Sequence, residues 1–416
     1  MKPLRALAAF GATLVLSSGW AWSLEIDPSV LPEINLGGRA VVTGNFASQD
    51  FEAGGSDERS KLDISDSSLI VGFSKYLFTD VDYGFGVIGI TVPDDDSDLE
   101  DDIFLHQLQV GIGGRNTELM LGRSQLPTST LIRFPTIRDD DLLDFTHVGN
   151  GFSNREVEED AIFGGQIRGT LYVPDASLFA LAALTARTET DVTDLASTGK
   201  KTGSDLNGLS LALAYDVPQE IKFDRGLRYA GIGLDLQRLD ELSGSGTEEM
   251  AALLAGLSYN LSDNPERAWA LDLQTIYNFG VSVPSLDEIV TRARAESVAV
   301  IAALRYASRP YLQSRWQAAL TVGFKDYRDF DDASAFTLTP SFTYRVGSGV
   351  DLLAQYRFLD NDGGLAAGTG LDSSHTVFFG LAFAFDATFN ESVGRRGSII
   401  DLEHDMLNPG PTLGGH

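Results

Sequence analysis

Long stretches in which apolar and polar side chains alternate constrain this sequence more than any other feature. In the clearest stretch, within 311–327, one face carries Leu312, Trp316, Ala318, Leu320, Val322 and Phe324, and the other carries Gln313, Arg315, Gln317, Thr321 and Lys325. Because successive side chains of a β-strand point to opposite faces, this period predicts a strand with one apolar and one polar face. Globular strands average about five or six residues, whereas a tilted membrane-spanning strand needs about nine to eleven. The length of the alternation therefore favours strands that cross a bilayer.

About sixteen such stretches follow one another from 34–47 to 372–389, and the connections between them alternate in length. Long connections include 48–60, 93–102, 125–160, 191–204, 281–292 and 360–371, whereas tight turns include 114–116 and 347–348. An even strand number with alternating long loops and short turns is typical of outer-membrane barrels, and the sheet has to close because backbone groups cannot stay unpaired in lipid. The sequence thus predicts an all-β fold, a transmembrane antiparallel β-barrel of about 16 strands with long external loops and short periplasmic turns. A secreted soluble sandwich or propeller is the alternative.

The second stretch, 61–77, changes the phase of its alternation near its middle. Leu62 and Ile64 give way to Leu69 and Val71, so the apolar positions move from even to odd numbers. One extra residue in a strand produces such a shift, and the pattern predicts a β-bulge between the two halves.

Both ends of the chain differ from the barrel in composition. Lys2 and Arg5 precede an apolar stretch and then small residues, the order of a secretory signal peptide, which we expect at residues 1–23. The barrel is expected over 24–389, and residues 390–416 follow as a tail that the even strand number places in the periplasm. The tail either plugs the barrel or contacts a periplasmic partner, or it is disordered as chain termini usually are.

The composition excludes several classes of function. The 416 residues include 31 Lys and Arg against 59 Asp and Glu, a formal net charge of −28, which disfavours binding to nucleic acid. The chain has no Cys, which excludes a disulfide framework, a thiolate metal site and a cysteine nucleophile. The five histidines show no metal-ligand spacing, and nothing around His147, Asn150 and Ser153 fixes a base beside a nucleophile. We therefore expect no metal, no cofactor and no enzymatic activity.

The last predicted strand carries the motif on which a family resemblance rests. The sequence Phe378-Phe379-Gly380-Leu381-Ala382-Phe383-Ala384-Phe385 places aromatic residues three and five positions after a glycine. This motif, the strand number and the loop pattern are the features by which the chain resembles the sixteen-stranded porins of Gram-negative outer membranes. The resemblance implies that Gly380, Phe383 and Phe385 form the signal read by the barrel-assembly machinery, although Phe378 stands where the family prefers a polar residue. It also implies a homotrimer embedded in outer-membrane lipid and lipopolysaccharide.

The resemblance further implies that the third external loop, within 125–160, folds into the lumen and narrows it. The acidic residues expected at this constriction are Asp139, Asp140, Asp141, Asp144, Glu156, Glu158 and Glu159. The alternation within the strands predicts a basic wall on the lumen side, formed by Arg39, Arg168, Arg315, Arg345 and Arg357. Acids that face cations across a narrow gap would orient dipolar solutes and set the ion preference. The alternative is that these acids form a solvated external face.

These observations favour a porin of the outer membrane of a Gram-negative bacterium, a water-filled channel for passive diffusion of ions and small hydrophilic solutes. Sixteen strands are wide enough to leave an aqueous lumen, and the polar strand faces indicate that the interior is wet. Two alternatives stay open. One is a substrate-specific channel or a barrel sheath for a periplasmic partner, which the tail motivates, and the less favoured one is an outer-membrane hydrolase.

Overall fold

The computed structural model describes the strands of the chain and many of the short connections between them. The described residues are 33–63, 67–77, 82–92, 104–114, 116–128, 163–173, 176–189, 203–216, 225–239, 248–262, 264, 267–279, 296–308, 315–328, 332–347 and 349–389. The predicted signal peptide, 1–23, and the predicted tail, 390–416, lie outside this part of the chain.

The described residues form seventeen strand segments and one short helix, which confirms the predicted all-β class. In chain order the elements are β1 (Glu33–Phe51), β2 (Ser56–Asp63), β3 (Ser67–Tyr76), β4 (Tyr83–Val92), β5 (Phe104–Gly113), β6 (Thr117–Gln125), β7 (Phe163–Val173), β8 (Leu178–Glu189), β9 (Gly203–Asp216), β10 (Gly226–Leu239), β11 (Glu248–Asn260), β12 (Arg267–Phe279), β13 (Ser297–Ser308), β14 (Trp316–Tyr327), β15 (Ala333–Gly347), β16 (Val350–Asp362), α1 (Gly363–Thr369) and β17 (Leu371–Phe389). Among the described residues, no helix has the length and apolar character needed to cross a membrane.

The strands form one closed antiparallel sheet. Each strand from β3 onwards pairs with the next along the chain, and β17 returns to pair with β1, from Ile34 opposite Phe389 to Asp50 opposite Ser373. Since β2 and β3 are two halves of one barrel strand, the barrel has 16 strands, as predicted. Closure leaves no edge, so all strands find backbone partners on both sides. We call the end where β1 begins the turn end, and the opposite end the loop end.

The second barrel strand contains the predicted bulge. Thr43 of β1 lies opposite Asp63 of β2, and Arg39 of β1 lies opposite Ser68 of β3. Between these pairs β1 advances four residues and its partner five, so the partner strand holds one extra residue. Ser67 bridges the interruption with its hydroxyl, which accepts a hydrogen bond from Val41 N at 2.9 Å and lies 3.2 Å from Val41 O. The side chain thus replaces ladder bonds that the bulge removes.

Two of the connections predicted to be long loops are mostly regular structure, and these predictions were wrong. Strands β1 and β2 extend into 48–60 and leave only residues 52–55 between them. Gly54 and Gly55 have φ angles of 83° and 119°, which side chains with a Cβ rarely adopt, and this allows so short a turn. In 360–371, β16 continues to Asp362 and α1 follows at once. In both regions the strands extend beyond the apolar band of the barrel. Their side chains are mostly polar on both faces there, so apolar and polar residues do not alternate and no strand was predicted.

The two faces of the barrel have opposite chemistry. Along β12, exposed and buried side chains alternate, with Trp269, Leu271 and Leu273 outside and Asp272 and Gln274 inside. Large apolar side chains are exposed on the outer faces of most other strands as well. This is the inverse of a soluble protein and is the pattern expected of a barrel whose outer surface contacts lipid.

Candidate functional site

Many polar and charged side chains of the described residues are buried on the inner wall of the barrel. The alternation turns Gln107, Gln109, Gln166, Asn278, Thr321 and Gln355 inward, and all six are at least nine-tenths buried. The buried and half-buried cations of this face are Arg39, Arg168, Arg228, Arg305, Lys325, Arg345 and Arg357. The corresponding acids are Glu33, Asp57, Glu118, Asp235, Asp272 and Asp351. Cations therefore outnumber acids on the part of the inner wall that the structure describes.

Four of the five arginines predicted to line the lumen lie on the inner face. Arg168 is near the middle of β7 and is 1% exposed, whereas Arg39 and Arg357 are half-buried. Arg345 lies near the turn end of β15. Arg315 occupies a bend just before β14 and is exposed at the turn end, where its carbonyl accepts a hydrogen bond from the backbone of Arg345 at 2.7 Å. Arg315 thus lies at the rim of the wall.

A buried ion pair joins β12 and β13 on the inner face. The Arg305 guanidinium makes a bidentate contact with Asp272, one arm of which runs from Nη2 to Oδ1 at 2.7 Å and the other from Nε to Oδ2. Nη2 also donates to the Ser258 hydroxyl of β11 at 3.2 Å. Both charged side chains are nearly enclosed, at 11% and 6% exposure. Paired hydrogen bonds of this kind offset the cost of removing two charges from water.

The sequence prediction missed Arg305 because β13 is apolar on both faces. Its sequence, SVAVIAALRYAS, gives no period-two signal to assign the side chain. A different signal was present, since an arginine facing lipid near the membrane midplane costs about 2–4 kcal/mol. The one charged residue in an apolar spanning strand should therefore have been placed inside.

A second ion pair connects β15 and β16 at the turn end. Arg345 Nε lies 3.0 Å from Asp351 Oδ1, and Nη2 lies 3.4 Å from Oδ2. The two residues are direct cross-strand partners, which brings the side chains together on one face. Their side chains are 35% and 17% exposed, so this pair is far more open than the pair in β12 and β13.

The inner wall is not uniformly polar. An apolar patch lies at the loop end of β11 to β15 and consists of Ala252, Leu254, Ile276, Ala299, Ile301, Tyr327, Ala333 and Ala335. Leu365 of α1 packs against the part of the patch formed by β14 and β15. Gly364 N donates to Asp332 O at 3.3 Å, which holds the helix over the end of the wall. Hydrophobicity alone therefore does not distinguish the inner from the outer face in these strands.

The chain enters the lumen where it leaves β6. Leu126, Pro127 and Thr128 are all buried, and the Thr128 N–H donates to the Ser210 hydroxyl at 3.3 Å. The two hydroxyl oxygens of Thr128 and Ser210 are 3.2 Å apart. Ser210 lies on the inner face of β9, three strands from β6, so this contact crosses the inside of the barrel. The acids predicted for the constriction, Asp139, Asp140, Asp141, Asp144, Glu156, Glu158 and Glu159, lie outside the described residues.

The residues of the predicted assembly signal lie at the seam between β17 and β1. Gly380 is opposite Thr43, and a Cβ at Gly380 would come within 2.4 Å of the Val42 carbonyl oxygen. Phe385 covers Gly38 from the outside, since a Cβ at Gly38 would lie 2.7 Å from the ring. Phe383 is also exposed on the outer face. Close backbone approach and aromatic cover over a glycine give these positions a structural role at the point of closure.

Comparisons with known proteins found a matching sequence family and several solved structures with a similar fold. The sequence profile of the Gram-negative porin family matches residues 6–364. The anion-selective porin of Comamonas acidovorans has a similar structure with a TM-score of 0.58 and 17% identity, covering 85% of this chain and 100% of that one. The channel DcaP of Acinetobacter baumannii gives a TM-score of 0.59 and 12% identity, covering 88% of this chain and 100% of that one. OmpT of Vibrio cholerae in its trimer form gives a TM-score of 0.52 and 9% identity, with coverage of 85% and 99%. The comparison with curated proteins gave no match.

Proposed function

Because the chain belongs to the Gram-negative porin family, we propose that its lumen passes ions and small hydrophilic solutes by passive diffusion through a constriction formed by the segment after β6. Family membership and the fold make the protein an outer-membrane channel for small solutes. The contact between Thr128 and Ser210 supports the proposal of a constriction, since it holds the start of this segment against the inner wall three strands away. Carboxylates from 139–159 would then face the basic inner wall and set a field across the pore.

Single-channel conductance in planar bilayers tests the constriction. The double variant Thr128→Val with Ser210→Ala removes both hydroxyls that hold the start of the segment, and deletion of 139–159 removes its acidic part. Both variants are expected to have a larger conductance than the unchanged chain. Thr337→Val is the matched control, because Thr337 is a fully buried hydroxyl on the inner face of β15 and bonds to Phe358 O at 3.0 Å. Equal conductance of all four proteins would refute the constriction.

The charge of the wall supports a weak preference for anions. Cations outnumber acids on the described inner wall, and a porin of similar fold is anion-selective. Arg39 and Arg357 are half-buried and so remain within reach of ions in the lumen. In the double variant Arg39→Gln with Arg357→Gln, the reversal potential under a KCl gradient should shift in the direction that indicates a higher permeability for cations relative to anions. The matched control, Arg225→Gln, changes an exposed residue before β10 and should leave the reversal potential where it was.

A trimer and the absence of enzymatic activity belong to the same proposal. A porin of similar fold is recorded in a trimer form, which supports a homotrimer of this chain. Light scattering with correction for bound detergent measures the mass, and a monomer would contradict the assembly. The proposal assigns no catalytic role to any residue of the wall. Steady turnover of lipid or peptide by the purified barrel would contradict that part.

A further inference from the structure

The outer face of β12, β13 and β14 contains a groove at the turn end. The groove has a volume of about 770 Å³, which lies within the range of about 300–1,000 Å³ typical of small-molecule sites. Tyr306 is part of its lining and lies between two tryptophans, with its ring centroid 4.8 Å from that of Trp269 and 4.4 Å from that of Trp316. Both tryptophans are about two-fifths exposed, so they present their rings to whatever fills the groove.

The lining of the groove changes from polar at the turn end of the barrel to apolar towards the middle of the barrel wall. Arg267 and Ser308, which are cross-strand partners, line it at the turn end. Leu304, Ala318 and Leu320 line it towards the middle of the barrel wall. Ala318 is small and lies between its cross-strand partners Tyr306 and Phe342, and this difference in size creates the recess.

We propose that this groove is a binding site for one anionic glycerophospholipid of the periplasmic leaflet. The turn end faces the periplasm because short turns of outer-membrane barrels do so. Arg267 is exposed there, and its guanidinium suits a phosphate because it donates two parallel hydrogen bonds and keeps its charge. The rings of Trp269 and Trp316 lie at the level preferred by amphipathic aromatics, between headgroup and hydrocarbon. An acyl chain then follows Ala318 and Leu304 into the membrane.

The tryptophans of the groove allow its occupant to be detected. The chain has four tryptophans, and the two outside the groove, Trp20 and Trp22, lie in the predicted signal peptide. Replacing both in Trp20→Phe with Trp22→Phe ensures that all tryptophan fluorescence arises from the groove. Bromine on an acyl chain quenches tryptophan on contact, so brominated lipids report occupancy directly.

The experiment measures this quenching in phosphatidylcholine vesicles that contain the full-length protein with both substitutions. Brominated phosphatidylglycerol, added as an increasing fraction of total lipid, should quench with saturation and with about fivefold preference over brominated phosphatidylcholine. Arg267→Gln should abolish the preference, and Ala318→Leu should abolish the saturable quenching by filling the recess. The matched controls are Arg225→Gln, an exposed arginine at the same end, and Ala255→Leu, an exposed alanine on the outer face of β11. Both controls should behave like the parent.

Three results would overturn the proposal. Equal quenching by the two lipids in every variant would mean that only non-selective boundary lipid contacts the tryptophans. Absence of quenching by either lipid would mean that a second copy of the chain covers the groove. Reversal of the quenching by millimolar inorganic phosphate would mean that Arg267 binds free phosphate without a lipid.

Discussion

Strands β12 and β13 hold two opposite environments that are one residue apart. Asp272 and Arg305 form a buried ion pair on the inner face, whereas their neighbours Leu271 and Tyr306 face lipid. At this level of the wall, a directional ion pair holds the inner face, whereas the outer face presents apolar side chains to hydrocarbon. A shift of one residue along the strand therefore decides between a specific polar contact and a side chain that chiefly has to remain apolar.

Removing one partner of the inner ion pair should have the largest effect on stability. Asp272→Ala leaves Arg305 buried without its carboxylate, which we expect to cost about 3–5 kcal/mol in the free energy of unfolding. Urea unfolding of the barrel in lipid vesicles, followed by tryptophan fluorescence, measures this loss. The double variant Asp272→Ala with Arg305→Leu should recover much of it because no charge is left unpaired. A single variant as stable as the parent would show that water in the lumen solvates Arg305.

A charge on the outer face should have the next largest effect. Leu273 is the central residue of β12 and faces lipid, so Leu273→Arg should cost about 2–4 kcal/mol. Leu273→Ala is the control for loss of the side chain without a new charge. The same unfolding experiment applies to both. If the arginine and alanine variants were equally stable, the assignment of the two faces of β12 would be wrong.

The aromatic contacts of the outer face should contribute less. Tyr306→Leu keeps an apolar side chain but removes the ring between Trp269 and Trp316, and we expect a loss of about 0.5–1.5 kcal/mol per aromatic pair. Tyr306→Phe keeps the ring and serves as the control, with stability near that of the parent. Equal losses in the two variants would assign the effect to the hydroxyl.

The more open ion pair, at the turn end, should have the smallest effect. Asp351→Ala removes the partner of Arg345, but both groups contact solvent, so the expected cost is about 0.2–1 kcal/mol. The cost should fall further in 1 M salt, since the Debye length then shrinks to about 3 Å. A loss as large as that of Asp272→Ala would remove the distinction between the two pairs.

The sequence predicted those parts of the fold that follow from the side-chain period and from the lack of backbone partners in lipid. The strand number and the bulge between β2 and β3 follow from alternation, because lipid outside and water inside act on every residue of a spanning strand. Closure follows because backbone groups cannot stay unpaired in lipid. Alternation also turned Arg39 and Arg168 inward. Strands β1 and β2 were predicted too short because the last residues of β1 and the first residues of β2 extend beyond the apolar band, where both faces are polar.

The rest of the inner wall depends on contacts between strands and could not be predicted from alternation. Arg305 was missed because β13 offers no contrast between its faces. In β10 a register shift between Leu227 and Tyr229 brings both Arg228 and Tyr229 into buried positions, which breaks the period. The apolar patch under α1 is buried by packing that only the folded chain brings together.

The seam between β1 and β17 has a consequence for how the chain can be rearranged. Glu33 and Phe389 both lie at the turn end, and Ile34 pairs directly with Phe389. A short peptide across this seam, with new termini opened in another periplasmic turn, would preserve every strand pairing while changing the order in which the strands leave the ribosome. A permuted gene of this kind would therefore show whether folding depends only on the final strand pairing or also on the order in which the strands are synthesised.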